Sequence, residues 1–466
     1  MSEETKELKK KLFYKKENGV DFMSEEELKA CDEFCEGYKK FLFENKTERE
    51  FAASALSLAK EKGFKEFDKF GSELKPGEKV YYFNRGKAII LCVKGSKPVK
   101  EGVRISAAHI DSPRLDLKQV PVYEDGSLGF FKTHYYGGIK KYQWTAIPLS
   151  LHGRVCKNDG SYIDIKVGED ASDTKFCITD ILPHLGAEQM SRKANEIVKG
   201  EELNVVIGSR PFKDDEESEK IKLNILNILF EKYGITEGDF LSAELELVPA
   251  FTVDDIGFDR SLIGGYGHDD RVCSYPAMQA IFDIDGVPEY TAVTVLTDKE
   301  ETGSDGNTGL NSSYLKYFIE DLARLEGCEG RDVLSNSKCL SADVNAAFDP
   351  TWPTQFEKKN ASFINEGVCV TKFTGARGKS GTSDASAEYV SFVKALLENN
   401  GVLWQSGELG KVDAGGGGTV AMYIANLDVD VIDVGVPVLS MHSPYEVVSK
   451  IDTYMAYKAF KVFFTK

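Results

Sequence analysis

Five short segments between Ile105 and Pro444 share one form: an apolar run that breaks off in histidine, aspartate or glutamate. They are Ile105-Ser-Ala-Ala-His109-Ile-Asp111-Ser-Pro, Gly267-His-Asp269-Asp270-Arg271, the run from Tyr290 through Val293 and Leu296 to Glu300-Glu301-Thr-Gly-Ser, Cys339-Leu-Ser-Ala-Asp343, and Val438-Leu-Ser-Met-His442-Ser-Pro. Strands of open α/β sheets present their carboxyl ends to a common crevice, so residues at such ends can meet although they are far apart in sequence. The chain is therefore expected to fold as an α/β protein with a mixed or mainly parallel sheet flanked by helices on both faces.

The residue types at these ends suit a metal centre. Glu300 and Glu301 alone read as a solvated acidic loop in a chain with 75 Asp and Glu, but a carboxylate pair can also divide labour, one side chain coordinating and the other moving protons. His109 and Asp111 stand two apart, so on an extended segment they share a face, and the carboxylate can hydrogen-bond the imidazole and fix its tautomer. Only six histidines occur, and two of them close apolar runs just before Ser-Pro or X-Asp-Ser-Pro. A two-zinc site, with ions about 3.5–4 Å apart, needs one bridging carboxylate and a histidine and a carboxylate on each ion. With one unligated glutamate added, that inventory uses Asp269, His109, His442, Glu301, Asp343 and Glu300 without remainder. Cobalt and manganese accept the same donors. The nine cysteines contain no Cys-x-x-Cys pair, and Cys31 and Cys35, one helical turn apart, read as packing residues.

The rest of the chain arranges itself around these segments. Ser24 with Glu27 and Thr47 with Glu50 read as capping boxes, opening helices to about Glu44 and Gly63. Strands follow at Lys79–Asn84, Lys87–Val93 and Val103–Ala108. From 115 to 250 the texture changes to short alternating runs, with Glu124-Asp125-Gly126-Ser127 as a hairpin turn, a helix near Ser218–Tyr233 and no metal-type segment. The expectation is a β-rich domain, 115–250, inserted into a catalytic domain built from 1–114 and 251–466. Further on, helices are expected at Val272–Phe282, Ser312–Leu325, Asp384–Asn399 and Glu446–Phe464. With 58 basic against 75 acidic residues the net charge is −17, which argues against nucleic acid or an anionic membrane as partner. No run of about 18 apolar residues appears and the amino terminus is too charged for a secretory signal, so a cytoplasmic location is expected.

The segments resemble the di-zinc aminopeptidases that include aspartyl aminopeptidase and the vacuolar aminopeptidase I type. The match rests on His-x-Asp-Ser-Pro at 109–113, Asp-Asp-Arg at 269–271, Glu-Glu-x-Gly-Ser at 300–304, Ser-Ala-Asp at 341–343 and Met-His-Ser at 441–443, all in the family's order. The resemblance implies a zinc-peptidase fold and two zinc ions per chain. Asp269 bridges them, and His109, Glu301, Asp343 and His442 are the remaining ligands. It implies Glu300 as general base, Asp111 as the residue orienting His109, and a cis peptide at Asp269–Asp270. Peptide substrates are implied, cleaved at the first peptide bond. The inserted domain would make dimer contacts within a homododecamer.

Specificity is less constrained. Lys372 lies near the place where aspartyl-type enzymes hold an acidic side chain, displaced by one residue, so acidic and neutral Leu-type N-terminal residues both stay open. The run Ala414-Gly415-Gly416-Gly417-Gly418-Thr419 lacks the Gly-Lys-Ser/Thr of a phosphate loop, and Gly416 and Gly417 read as letting backbone approach a substrate. The basic stretch Gly375–Gly381 reads as a turn or a substrate or subunit contact. His184 lies where family members reach a partner's active site. Two other classes remain open: a di-zinc carboxypeptidase or N-deacylase, and a non-catalytic assembly protein.

Overall fold

The computed structural model describes residues 2–71, 73–213 and 218–466. Among them three sheets form, of nine, seven and five strands. The nine-stranded sheet is mixed, and its middle is four adjacent parallel strands: Thr291–Thr297, Val103–His109, Lys338–Ser341 and Asp430–Gly435. These strands are almost wholly buried and dominated by small and branched apolar residues, as parallel strands covered on both faces must be. Side chains alternate between two cores: Ile89, Leu91 and Val93 join one, and Ala88, Ile90 and Cys92 the other. The first core contains helices Glu25–Glu44, Glu48–Glu61, His268–Phe282, Ala387–Asn399 and Lys450–Thr465, and the second Tyr314–Leu325, Gly330–Ser335 and Ala421–Ala425.

Parallel direction is what positions the site. Thr297 stands opposite His109 and Ser341 opposite Ala107. The segments that continue past these strands, carrying Asp111, Glu300, Glu301 and Asp343, therefore leave the sheet at one edge. Both expected capping boxes are formed: the Ser24 hydroxyl accepts the Glu27 amide at 3.2 Å, and that of Thr47 accepts the Glu50 amide at 3.3 Å. Replacing either cap with alanine costs about 1 kcal/mol.

Between Arg114 and Pro249 the chain builds the seven-stranded sheet, in which every pair is antiparallel. Asp125 pairs with Leu128, leaving Gly126 and Ser127 as a two-residue turn with φ of 53° and 65°, the backbone that such tight hairpins require. Helix Lys220–Tyr233 packs on this sheet, which has its own core of residues such as Phe131, Leu151, Val205 and Leu247.

The five-stranded sheet was not expected. It joins Asp254–Ile256, Leu262–Gly265, Glu446–Ser449, Pro437–Leu439 and Asn345–Ala346, strands of two to four residues, too short for an alternating pattern to show. These strands precede Asp269, flank His442 on both sides and follow Asp343. One expected element is corrected by it: Glu446–Ser449 is a strand, and the last helix starts at Lys450. The β-branched pair Val447-Val448 favours extended backbone, and Ser449 caps the helix by accepting the Asp452 amide at 3.3 Å. Likewise the helix expected from Asp384 begins at Ala387 behind the cap Ser386, and that expected from Ser312 begins at Tyr314.

Candidate metal centre

Asp269 lies where strand Leu262–Gly265 gives way to a helix, and neither it nor Asp270 has helical backbone angles. The Asp269–Asp270 peptide is cis. Asp269 Oδ1 is 3.1 Å from His109 Nε2, and Oδ2 is 3.1 Å from His442 Nε2. One buried carboxylate thus stands between two imidazoles from different sheets. On the flanks, Glu300 Oε2 is 3.8 Å from His109 Nε2 and Glu301 Oε2 is 3.8 Å from His442 Nε2. Asp343 closes the cluster. Its donor atoms lie within 4.8 Å of those of His109 and Glu300, and again of those of Asp269 and Asp270. All five segments singled out in the sequence meet here.

Hydrogen bonds turn both rings inward. His109 Nδ1 faces the Asp111 carbonyl oxygen at 3.0 Å and its Oδ1 at 3.3 Å, while His442 Nδ1 donates to the Gly138 carbonyl at 2.8 Å. Each ring therefore presents Nε2 to the cluster, the arrangement that leaves its lone pair free to ligate. Asp111 does more than its spacing suggests. Its Oδ1 accepts the Glu300 amide at 3.1 Å, and its Oδ2 accepts the Glu301 amide at 3.2 Å and the Tyr136 hydroxyl at 2.8 Å.

Charge is crowded at this edge. Burial drives the carboxyls of Glu301 and Asp343 well above the ordinary range, and burial together with repulsion from Asp111 and Asp269 raises Glu300 to about 7. Burial works against the imidazolium forms, yet Asp111 and Asp269 hold His109 well above its usual value, and Asp269 and Glu301 hold His442 at about 11. Asp269 itself is kept low, against its burial, by the two histidines. Glu301 Oε1 and Asp343 Oδ2 are buried without a hydrogen-bond partner. Orphaned carboxylate oxygens are costly in a protein interior unless a cation takes them up. The nitrogen and oxygen donors here fit zinc.

The remaining expected residues make no hydrogen bond or ion pair with the cluster among the described residues. Lys372 is paired with Asp384, which also holds Lys379 at 2.8 Å. Gly416, at φ 117°, passes so close to Gly375 and Ala376 that a Cβ would stand 2.5 Å from the Ala376 Cα. The close approach shown is thus to the basic loop, and Gly417 donates to the Thr374 carbonyl of that loop at 3.3 Å. His184 is exposed. Sequence reasoning missed Asp270, Tyr136, Gly138 and Glu446. Asp270 accepts the His109 amide at 3.3 Å, and Glu446 accepts the amides of Asp269 and His442 at 3.1 and 2.7 Å. The only available signal for Glu446 was its place four residues after His442; for Gly138 there was none, because a carbonyl has no signature in sequence.

Residues 41–464 match the family model of the aminopeptidase I zinc metalloproteases, M18. The chain belongs to this family. It is a zinc-dependent aminopeptidase, a hydrolase. A probable M18 family aminopeptidase 1 of Clostridium acetobutylicum is 46% identical over 453 residues, spanning 96% of this chain and 97% of that protein. The crystal structure of the M18 aminopeptidase of Thermotoga maritima superposes with a TM-score of 0.93 at 42% identity, covering 97% of this chain and all of that one. At 20% identity the fold alone is shared with the mApe1 dodecamer of S. cerevisiae, with a TM-score of 0.75 over 93% of this chain and 96% of that one. Membership in M18 displaces the carboxypeptidase, N-deacylase and assembly-protein alternatives.

Proposed function

We propose that this M18 aminopeptidase holds two zinc ions per chain and releases N-terminal amino acids from peptides with Glu300 as general base. The observation that carries the reading is Asp269, whose two carboxylate oxygens face two different histidines at 3.1 Å each. In this reading Asp269, His109 and Asp343 would hold one ion, and Asp269, His442 and Glu301 the other. Cobalt or manganese can substitute in such a donor set. Bound zinc supplies Lewis-acid polarisation of a carbonyl and acidification of water.

The two adjacent glutamates are separated by exposure. The Glu301 side chain is 2% exposed with an orphaned oxygen, as a ligand would be, whereas that of Glu300 is 18% exposed. Glu300 is then free to take a proton from water and hand it to the leaving amine. Asp111 holds the Glu300 and Glu301 backbone, and Tyr136 holds Asp111.

For the side chain released, the Lys372–Asp384 pair favours neutral residues of the Leu type, since the ammonium is already neutralised; acidic residues would need Lys372 freed. Gly416 and Gly417 would bound the substrate cleft through the 374–376 loop they support. Residues 115–250 would form an inserted domain making dimer contacts, within a homododecamer like that of the yeast relative. The exposed Leu223, Ile228 and Phe230 on its helix are apolar surface of the kind that subunit contacts cover. Among the described residues no helix is long and apolar enough to cross a membrane, which fits the cytoplasmic location proposed for the enzyme.

The test is a panel of aminoacyl p-nitroanilides, Leu, Asp and Glu with free and with acetylated amines, assayed with zinc-loaded protein of measured metal content. Turnover of the free-amine Leu substrate at two zinc per chain supports the reading. Cleavage confined to acetylated substrates would overturn it.

A further inference from the structure

Glu446 is the first residue of strand Glu446–Ser449, where it stands opposite Gly265, four residues before Asp269 on the neighbouring strand's path. Its side chain is buried and its two oxygens are divided. Oε1 accepts the His442 amide at 2.7 Å, and Oε2 accepts the Asp269 amide at 3.1 Å. No other carboxylate among the described residues grips the backbone of both of these residues. The grip matters most at His442, which has a φ of 65° in the left-handed region and follows Ser440 at 58°. A non-glycine residue keeps such a backbone only when its surroundings hold it there. The His442 amide is fixed by Glu446, its ring Nδ1 by Gly138, and what remains, Nε2, faces Asp269 Oδ2. His109 ends the central parallel strand Val103–His109 and Asp343 follows the neighbouring strand Lys338–Ser341, and neither is hydrogen-bonded to Glu446 among the described residues.

We infer that Glu446 is a positioning residue for one half of the metal centre: it sets the spacing between Asp269 and His442, and so governs the ion held with Glu301 far more than the ion held with Asp343. The inference rests on the two-zinc reading, and deepens it by making the two ions unequal in their dependence on one carboxylate. In Glu446→Gln, a side chain of the same size, one oxygen still accepts an amide while the NH2 group faces the other amide as a second donor. One of the two anchors is lost and the burial is kept.

A matched control is available in Asp452. It is also fully buried and accepts two amides, of Asn365 at 2.8 Å and Gly367 at 2.7 Å, but it touches no residue of the cluster. The experiment is zinc titration by calorimetry of the chelator-stripped full chain, for the natural protein, Glu446→Gln and Asp452→Asn, with the absorption spectrum of the cobalt-loaded forms and the thermal midpoint recorded for each. Perturbing residues that orient metal ligands typically costs 10–100-fold in affinity. The expected result is that Glu446→Gln weakens one of the two ions by that factor, leaves the other within about threefold, and changes the cobalt spectrum, while Asp452→Asn lowers the midpoint without altering either affinity. Two unchanged affinities in Glu446→Gln, or equal weakening of both ions in the two variants, overturns the inference. A natural protein that binds only one ion overturns the two-zinc reading instead. The role of Glu446 is then decided by whether Glu446→Gln, and not Asp452→Asn, weakens that single ion.

Discussion

Asp111 accepts the backbone amide of Glu300 at 3.1 Å, linking a strand end of the central sheet to the loop that carries the glutamate pair 189 residues later. The same carboxylate lies 3.3 Å from His109 Nδ1. A single side chain therefore aligns a ring and the proposed general base, which the chain delivers after separate strands. Removing its charge should leave the fold standing and misplace both. Asp111→Asn is expected to lower kcat/KM by about 10–100-fold with the thermal midpoint little changed, and steady-state kinetics with melting curves will check it.

Burial pushes the carboxyls of Glu301 and Asp343 well above their usual range. Ligation requires both to be deprotonated, so zinc binding at pH 7 should release protons and raise the thermal midpoint, because the ion binds the folded chain and not the unfolded one. Calorimetry in buffers of different ionisation enthalpy measures the proton count. No proton release would mean that these two side chains are not the ligands.

Substrate preference should respond to Asp384. In Asp384→Asn the ammonium groups of Lys372 and Lys379 lose their shared partner. Turnover of Asp and Glu p-nitroanilides relative to the Leu compound is expected to rise by up to about fivefold, on the order of the 1 kcal/mol at most that a solvent-exposed charge contributes. An unchanged ratio would remove Lys372 from the substrate site.

Acid should loosen the seam between the seven-stranded sheet and helix Glu48–Glu61. His152 lies 2.8 Å from Glu50 and 2.9 Å from Glu169, and Glu169 also pairs with Lys46 at 2.8 Å. Against the effect of burial, His152 holds Glu50 at about 2, and His152 with Lys46 holds Glu169 at about 2. Both folded values lie below the unfolded value of 4.5, so the stabilisation is fully present above about pH 4.5 and is lost as pH falls toward 2. His152 is raised above 6.5, which adds stability below that pH that fades as pH rises through its folded value. Glu169→Gln should reduce the loss of unfolding free energy between pH 5 and 3 by on the order of 1–2 kcal/mol, read from denaturant unfolding at each pH. A slope equal to that of the natural protein would assign the acid sensitivity elsewhere.

Where the sequence was legible, a local pattern spoke directly for a local structure. The capping boxes at Ser24 and Thr47, the strand ending in His109 and the Gly126-Ser127 turn each combine a few neighbouring residues with one backbone outcome. The five-stranded sheet was illegible for the opposite reason: its strands of two to four residues are defined by pairing partners up to 187 residues away, as Leu262 with Ser449. The same distance hid Glu446, whose partners are two backbone amides, and led to its being assigned to a helix. The residues that cluster could be picked out because each stands where an apolar run breaks off in a histidine or carboxylate. Supporting contacts such as Gly138 to His442 run through a carbonyl, which every residue possesses.

The central claim is that Glu300 moves protons while Glu301 coordinates. Its most direct measurement is zinc content and Leu p-nitroanilide turnover on the same preparations of the natural protein, Glu300→Gln and Glu301→Gln. The account predicts two zinc per chain and about 100- to 10,000-fold slower turnover in Glu300→Gln, with zinc lost only in Glu301→Gln. Full activity in Glu300→Gln, or loss of zinc from it, would contradict the account.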